Sequence, residues 1–435
     1  MTVQPQDAVV VAFARTPMGR YGGQLAAVRP DDLAATAIEG ALRRAGLVGP
    51  EVEDVVLGCA NQAGEDNRNV ALMALLLAGM PVEVPGQTVN RLCGSGMQAI
   101  VSAARELQVG AAQVLLAGGV ESMSRSPWVV PKPLGALPRG PQTIFDTALG
   151  WRLVNPRMQE LYGTLQMGET AERVAEAYGV SRAAQDAFAV CSHQRALKAQ
   201  HDGVLAREIV PVKVPQRRGD AILVEQDEGP RADASLEMLA RLRPAFQEGG
   251  TVTAGNSSPL NDGASAVVLM SGAEADRREL LPLGRLVAAG TAGVHPDHMG
   301  IGPVPASKRA LAAAGLEIAD VGLVELNEAF AAQAVACQEQ LGISDDKLNV
   351  NGGAIALGHP LGSSGSRLVI TLLREMQRRR VRYGLATMCI GVGQGIATIW
   401  ELPESAREQD LTGRTDAVAE RRPAARSAAA KAASG

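Results

Sequence analysis

Ala41-Leu42-Arg43-Arg44-Ala45-Gly46-Leu47, followed by Val52-Glu53-Asp54-Val55-Val56-Leu57-Gly58-Cys59-Ala60-Asn61, has a counterpart far along the chain. There, Ala310-Leu311-Ala312-Ala313-Ala314-Gly315-Leu316 leads into Ile318-Ala319-Asp320-Val321-Gly322-Leu323-Val324-Glu325-Leu326-Asn327. In both copies a helical Ala/Leu pattern stops at Gly-Leu and passes into a short apolar run, and self-similarity of this kind points to a duplicated unit. Working outward from the first copy, the spacing predicts strands over 8–14, 54–57 and 113–117, a short one before Asn90, and helices over 31–45, 67–78 and 96–107. From about Leu283 the alternation returns, with helices over 306–314, 329–341 and 364–379 and strands over 321–326 and 385–389. Repeated βα units imply an α/β fold, a sheet covered by helices on both faces, in two similar halves.

Of the 435 residues, 46% are hydrophobic and 20% charged, the balance of a globular chain with apolar material for several packed layers. Lys and Arg number 42 against 46 Asp and Glu, so no basic field exists to attract nucleic acid. Aromatic residues are 3%, too few for base-stacking platforms. Five cysteines form an odd, sparse set, which argues against a disulfide framework and for a reducing compartment, so each is a candidate thiol. The longest apolar run, 70–80, ends at Pro81; it falls short of the roughly 20 residues of a membrane span, and a buried core helix is expected instead. Residues 121–249 break the alternation, with a Pro/Gly-rich stretch over 127–141 and a charged one over 216–231, the mark of an inserted loop domain. The expected division is a first half over 1–120 plus 250–275, a loop domain over 121–249, a second half over 276–402 and a charge-rich tail over 403–435 that is expected to be disordered.

Four segments carry chemistry. Val89-Asn90-Arg91-Leu92-Cys93-Gly94-Ser95-Gly96-Met97 puts a cysteine where a strand ends and a helix begins; backbone N–H groups and the helix dipole there are expected to favour the thiolate and lower its pKa. A lone cysteine is more often an inert buried hydrophobe. Asn349-Val350-Asn351-Gly352-Gly353-Ala354-Ile355-Ala356-Leu357-Gly358-His359-Pro360-Leu361-Gly362 is a glycine-dense loop presenting one imidazole. Met388-Cys389-Ile390-Gly391-Val392-Gly393-Gln394-Gly395 has the glycines of a dinucleotide loop but runs on into a strand-like stretch over 396–400, so that reading fails its context. Glu325-Leu326-Asn327-Glu328-Ala329-Phe330 sets an amide at another strand-to-helix junction, where Asn is commonly a helix cap.

Together these segments, with Gly255-Asn256-Ser257-Ser258-Pro259-Leu260-Asn261-Asp262-Gly263 between them, resemble the thiolase family from about Val9 to Glu401. The resemblance implies two βαβαβαββ halves in a five-layer αβαβα core with an inserted loop domain, and reversible acyl transfer between CoA thioesters. It makes Cys93 the nucleophile and Cys389 the acid and base at the alpha carbon. His359 activates Cys93 and binds a thioester oxygen, which it shares with Asn327 through a water. The N–H groups of Cys93 and Gly391 form the second oxyanion hole. Ser258 and Arg231 match positions that contact CoA, and Met167 and Met299 the wall beside the acyl group; for these four, loop capping, a solvated charge and core filling are equally open readings. Cys59, Cys191 and Cys337 match no catalytic position and are expected to pack.

Gln166 stands where short-chain biosynthetic thiolases often have His, while the segments over 62–69 and 150–156 resemble the branch containing 3-oxoadipyl-CoA thiolases and general 3-ketoacyl-CoA thiolases, the latter serving β-oxidation. No cofactor and no metal are implied, CoA and acyl-CoA being substrates. A homodimer or homotetramer in the cytoplasm, with no nucleic-acid or membrane partner, is expected. A decarboxylating ketosynthase would pair one Cys with two His, and Cys389 disfavours it. A non-catalytic lipid-binding relative is disfavoured because all four reactive positions are filled.

Overall fold

The computed structural model describes residues 3–133, 135 and 139–408. The first half runs β1 (Ala8–Arg15), α1 (Pro30–Ala45), β2 (Asp54–Gly58), α2 (Val70–Leu77), β3 (Gly86–Val89), α3 (Ser95–Gln108) and β4 (Val114–Ser122). An insertion carrying α4 (Met167–Tyr178) and α5 (Arg182–His201) precedes the closing strand β5 (Asn261–Ser271). The second half runs β6 (Gly284–Gly293), α6 (Pro303–Ala314), β7 (Leu323–Leu326), α7 (Ala331–Leu341), α8 (Leu361–Arg379), β8 (Tyr383–Ile390) and β9 (Gln394–Glu401).

Local signals account for these elements. In α1, Pro30 sits in the first turn with Asp31 and Asp32, Arg43 and Arg44 occupy the last, and Gly46 ends the helix at φ 69°, each charge matching the dipole end it lies on. Strand order in the first half is β3-β2-β4-β5-β1, with β2 parallel to both neighbours and β5 antiparallel to β4 and β1. The second half repeats this as β7-β8-β9-β6, with β7 parallel to β8 and the other pairings antiparallel. A parallel bridge from Val324 to Leu348 stands where β3 stands in the first half. The two sets join edge to edge through Val9 and Val10 of β1 beside Arg285 and Gly284.

Period-two alternation sorts the strand residues between layers. In β4, Val114 and Leu116 face the cluster under α1 and α2, whereas Leu115 and Ala117 face the cluster around α3 and α8. In β8, Ala386, Met388 and Ile390 face α3 and α8, and Leu385 and Cys389 face the cluster under α6 and α7. The five layers are therefore two outer helix pairs, two sheets and a middle layer of α3 and α8, one helix from each half. These middle helices touch through glycine: a Cβ on Gly365 would collide with the backbone nitrogen of Met97, and one on Gly96 with the Gly362 carbonyl.

Several boundaries differ from the sequence reading, for physical reasons. β4 continues five residues past 117 because Gly118 and Gly119 are strand residues that let Ser265 and Gly362 carbonyls approach where a Cβ would block them. α2 starts only at Val70, since Asn67 and Arg68 take φ of 49° and 65° and cannot propagate a helix. It is buried on one face only, with Leu76 and Leu77 exposed at 40% and 53%. α8 begins at Leu361, three residues early, straight after Pro360. In the segment expected to be disordered, Glu404–Glu408 is helical and Ala406 is buried in the middle cluster, while 409–435 lie outside the described residues. No helix of the described residues is long and apolar enough to cross a membrane.

The glycine contact between α3 and α8 is testable. Gly365→Ala, central in packing, should cost about 1–3 kcal/mol by overpacking and lower the thermal midpoint. An unchanged midpoint would mean that the helices do not touch there.

Candidate active site

Five residues bridge β3 and α3, and their bonding presents Cys93. Asn90 Oδ1 accepts the Leu92 N–H at 2.8 Å, and Leu92 adopts φ 45°, an uncommon conformation for a branched residue that points to a functional constraint. Ser95 Oγ accepts the Arg91 N–H at 2.9 Å. The Arg91 guanidinium reaches Gln98 and Gln394, each at 2.9 Å, and so fastens the turn to α3 and to β9. On the other side, the loop over 391–393 joins β8 to β9, with Val392 and Gly393 at φ 65° and 90°. The N–H groups of Gly391 and of Cys93 itself are both directed at the Cys93 sulfur.

The expectation of a lowered Cys93 pKa is not met. Burial pushes the thiol up to about 11, and Glu121 adds to the rise, while the two N–H groups pull the other way. The helix end is one turn of dipole against a half-buried sulfur in an apolar cavity, and desolvation of the thiolate wins. Cys389 is fully buried and pushed up for the same reason, with Cys93 as a charged neighbour adding to it. Both thiols therefore rest protonated.

His359 is fixed by three residues. Asn261 Oδ1 accepts its backbone N–H at 2.9 Å, while Asn261 Nδ2 donates to the Gly19 carbonyl at 2.8 Å. Ser364 Oγ lies 2.6 Å from Nδ1 and donates to the Pro360 carbonyl at 2.9 Å. With its proton so engaged, the hydroxyl accepts from Nδ1–H, which leaves a lone pair on Nε2. Nε2 faces Asn327 Nδ2 at 3.4 Å, and Asn327 Oδ1 is buried without a partner among the described residues. Burial, then the positive charge of Arg367, pushes the imidazole down to about 3, so it is neutral at physiological pH.

These groups meet at an apolar cavity of about 120 Å³, lined by Cys93, His359, Cys389, Gly391, Met167, Met299, Ser258 and Phe330 among others. Asn327 stands behind it through His359. Arg231 is not among the lining residues; its guanidinium pairs with exposed Asp233 at 3.0 Å. Cys59 donates to the Asn61 carbonyl at 2.7 Å and Cys337 to the Gly300 carbonyl at 3.3 Å, and neither these nor Cys191 line the cavity. All five cysteines are free, and no cluster of three or more metal-ligating side chains occurs among the described residues.

Three supporting residues escaped the sequence reading. Ser364 was visible only as a small residue in a helix, and Asn261 only inside a quoted segment. Glu121 is the third: its buried carboxylate accepts N–H groups from Ala60, Asn61 and Gly362 at 2.9, 3.0 and 2.9 Å, so it ties the end of β2 to the start of α8. Burial pushes it up to about 7 against those three bonds. The only signal in the sequence was an acidic residue after a fully apolar strand.

The raised thiol has a direct consequence for labelling. Carbamidomethylation of Cys93, followed by peptide mass spectrometry, should accelerate steadily from about pH 7 to about pH 10. A plateau below about pH 8 would place a stable thiolate in the resting site and overturn the reading of a protonated sulfur.

Family models described as thiolase, N-terminal domain, and thiolase, C-terminal domain, match residues 8–273 and 280–402. The chain is 55% identical over 395 residues to beta-ketoadipyl-CoA thiolase of Pseudomonas aeruginosa, covering 90% of this chain and 98% of that one. It is 53% identical over 399 residues to 3-oxoadipyl-CoA/3-oxo-5,6-dehydrosuberyl-CoA thiolase of Escherichia coli, covering 91% and 99%. The crystal structure of acetyl-CoA acetyltransferase from Bacillus anthracis superimposes with a TM-score of 0.86 at 42% identity, over 91% of this chain and 99% of that one. By sequence and by fold the chain belongs to the thiolase family, acyltransferases that work on CoA thioesters.

Proposed function

We propose that this thiolase cleaves 3-oxoadipyl-CoA with CoA through an acyl-enzyme on Cys93. The observation that carries the chemistry is the convergence of two thiols, a neutral imidazole and two sulfur-directed N–H groups on one apolar cavity. The activities for which the relatives are named support the substrate.

In the first step Nε2 of His359 takes the Cys93 proton as the sulfur adds to the 3-oxo carbon. The new alkoxide lies against the N–H groups of Cys93 and Gly391, where fixed dipoles stabilise developing charge without reorganising. Collapse breaks the bond between the alpha carbon and the former ketone carbon, leaving a succinyl thioester on Cys93 and the enolate of acetyl-CoA. The protonated Nε2 of His359 and a water held by Asn327 steady the enolate oxygen, and the Cys389 thiol protonates the alpha carbon. In the second step the Cys389 thiolate takes the proton of incoming CoA, whose sulfur attacks the acyl group and releases Cys93, which recovers its proton from His359. A covalent intermediate thus divides one difficult exchange into two. Ser258, Met167 and Met299 are assigned to the substrate wall, Arg231 to the outer end of CoA, no cofactor or metal is needed, and a homodimer or homotetramer is the working assembly.

Steady-state thiolysis of 3-oxoadipyl-CoA, acetoacetyl-CoA and a medium-chain 3-oxoacyl-CoA tests this. The first should have the highest kcat/KM, Cys93→Ala should lose activity on all three, and intact mass should show a succinyl adduct on the wild type alone. Cys389→Ser should retain Cys93 alkylation but lose deuterium exchange at the acetyl-CoA methyl by about 100-fold or more. Activity surviving in Cys93→Ala would overturn the mechanism, and a preference for the unsubstituted chains would overturn the substrate.

A further inference from the structure

A second, larger cavity of about 320 Å³ shares Cys93, Gly391, Met167 and Leu149 with the first and extends to Trp151 and Arg152. Arg152 is half-buried, and its guanidinium has no ion-pair or hydrogen-bond partner among the described residues. Other arginines of the chain are engaged: Arg91 with Gln98 and Gln394, Arg125 with Glu65, Arg231 with Asp233. A guanidinium drawn into a largely apolar cavity loses hydration that only an anion restores in full.

The segment bearing Arg152 is built, not slack. Gly150 and Leu153 take φ of 75° and 53° on either side of the Trp151-Arg152 pair. The Trp151 indole N–H donates to the Leu165 carbonyl at 3.1 Å, and Asn155 caps the helix Pro156–Tyr162 through the Arg157 N–H at 2.9 Å. The lining holds no second cationic side chain, and Asn61 Oδ1, buried without a partner among the described residues, is an acceptor that cannot bind a carboxylate. Asn61 Nδ2 donates to Thr147 Oγ1 at 2.9 Å, and the Glu121 carboxylate accepts three backbone N–H groups. Arg152 is left as the free cation of a chamber that opens on the acylated sulfur.

We propose that Arg152 is a specificity-determining residue that receives the terminal carboxylate of a dicarboxylic acyl chain carried on Cys93. This rests on the reading of Cys93 as the acylated residue and of 3-oxoadipyl-CoA as substrate. An adipyl-length chain keeps its carboxylate on the succinyl fragment after cleavage, so the contact persists through both steps. Planar guanidinium and carboxylate meet in a paired, charge-assisted hydrogen bond. An unsubstituted chain of the same length leaves the cation without an anion, which discriminates against it.

The experiment is thiolysis of 3-oxoadipyl-CoA, its neutral terminal methyl ester and acetoacetyl-CoA by the full-length wild type, Arg152→Gln and Arg152→Lys. In Arg152→Gln, kcat/KM for 3-oxoadipyl-CoA should fall about 10–100-fold, mainly through KM. Acetoacetyl-CoA should stay within about twofold, and Arg152→Lys should recover most of the loss. Equal losses on both substrates, or no loss on either, would overturn the role of Arg152. The wild type reads the same contact without any substitution: indifference to the methyl ester overturns both the dicarboxylic substrate and the role of Arg152. In that outcome Cys93-dependent cleavage of acetoacetyl-CoA would still leave the acyl-enzyme reading standing.

Discussion

The contact between α3 and α8 sets the geometry on which the site depends. Cys93 precedes α3 and His359 precedes α8, so the spacing of these helices fixes the spacing of sulfur and imidazole. Glycine at 96 and 365 allows backbone to meet backbone, which a Cβ on either would prevent. Glu121 then pins the start of α8 to the end of β2 with N–H bonds from both. Close-packed interiors transmit small displacements, so an alteration at this crossing reaches the reacting atoms.

The resting site is electrically quiet. Two protonated thiols and a neutral imidazole share an apolar cavity, and burial is the leading cause of each pKa shift. In the proposed reaction charge arises only when a substrate carbonyl is attacked, next to N–H groups that already point at the Cys93 sulfur. A stable thiolate would occupy those donors in the ground state and weaken their benefit in the transition state. The raised Cys93 pKa is thus compatible with a nucleophile whose base sits beside it.

Much of this was legible because it is local. Apolar periodicity located β1, α1, α3 and α7 to within about three residues, and four short motifs named side chains that the fold brings together at one cavity. What escaped was decided by contacts distant in sequence. Gly118-Gly119 reads as a turn, yet Ser265 and Gly362 make it strand. A helix start at Cys93 reads as an activated thiolate, yet the half-buried sulfur packs against the middle cluster with Glu121 nearby, and desolvation outweighs the dipole. The tautomer of His359 rests on Ser364 and the proton it gives to Pro360, a chain of bonds that no spacing rule encodes. Arg152 is in the same class: a charged residue in a loop is ordinarily solvated, and only the cavity at its side makes it distinctive.

The opening repeat bears on how one site came from two equal halves. Its copies end at Asn61, three residues past β2, and at Asn327, directly after β7. Both asparagines stand at the site but in different trades, Asn61 bonding Thr147 beside the larger cavity and Asn327 facing His359. The junctions before α3 and α8 correspond more closely, Cys93 and His359 each lying two residues before the helix, and they hold a sulfur in one half and an imidazole in the other. A symmetric scaffold places two equivalent sets of strand ends at one surface, and divergence gives them complementary chemistry. The insertion belongs to the first half alone, and it supplies Met167, Gly150 and Arg152. In the proposed reaction, symmetry accordingly furnishes the reacting groups, and the asymmetric insertion furnishes the residue assigned to the choice of acyl group.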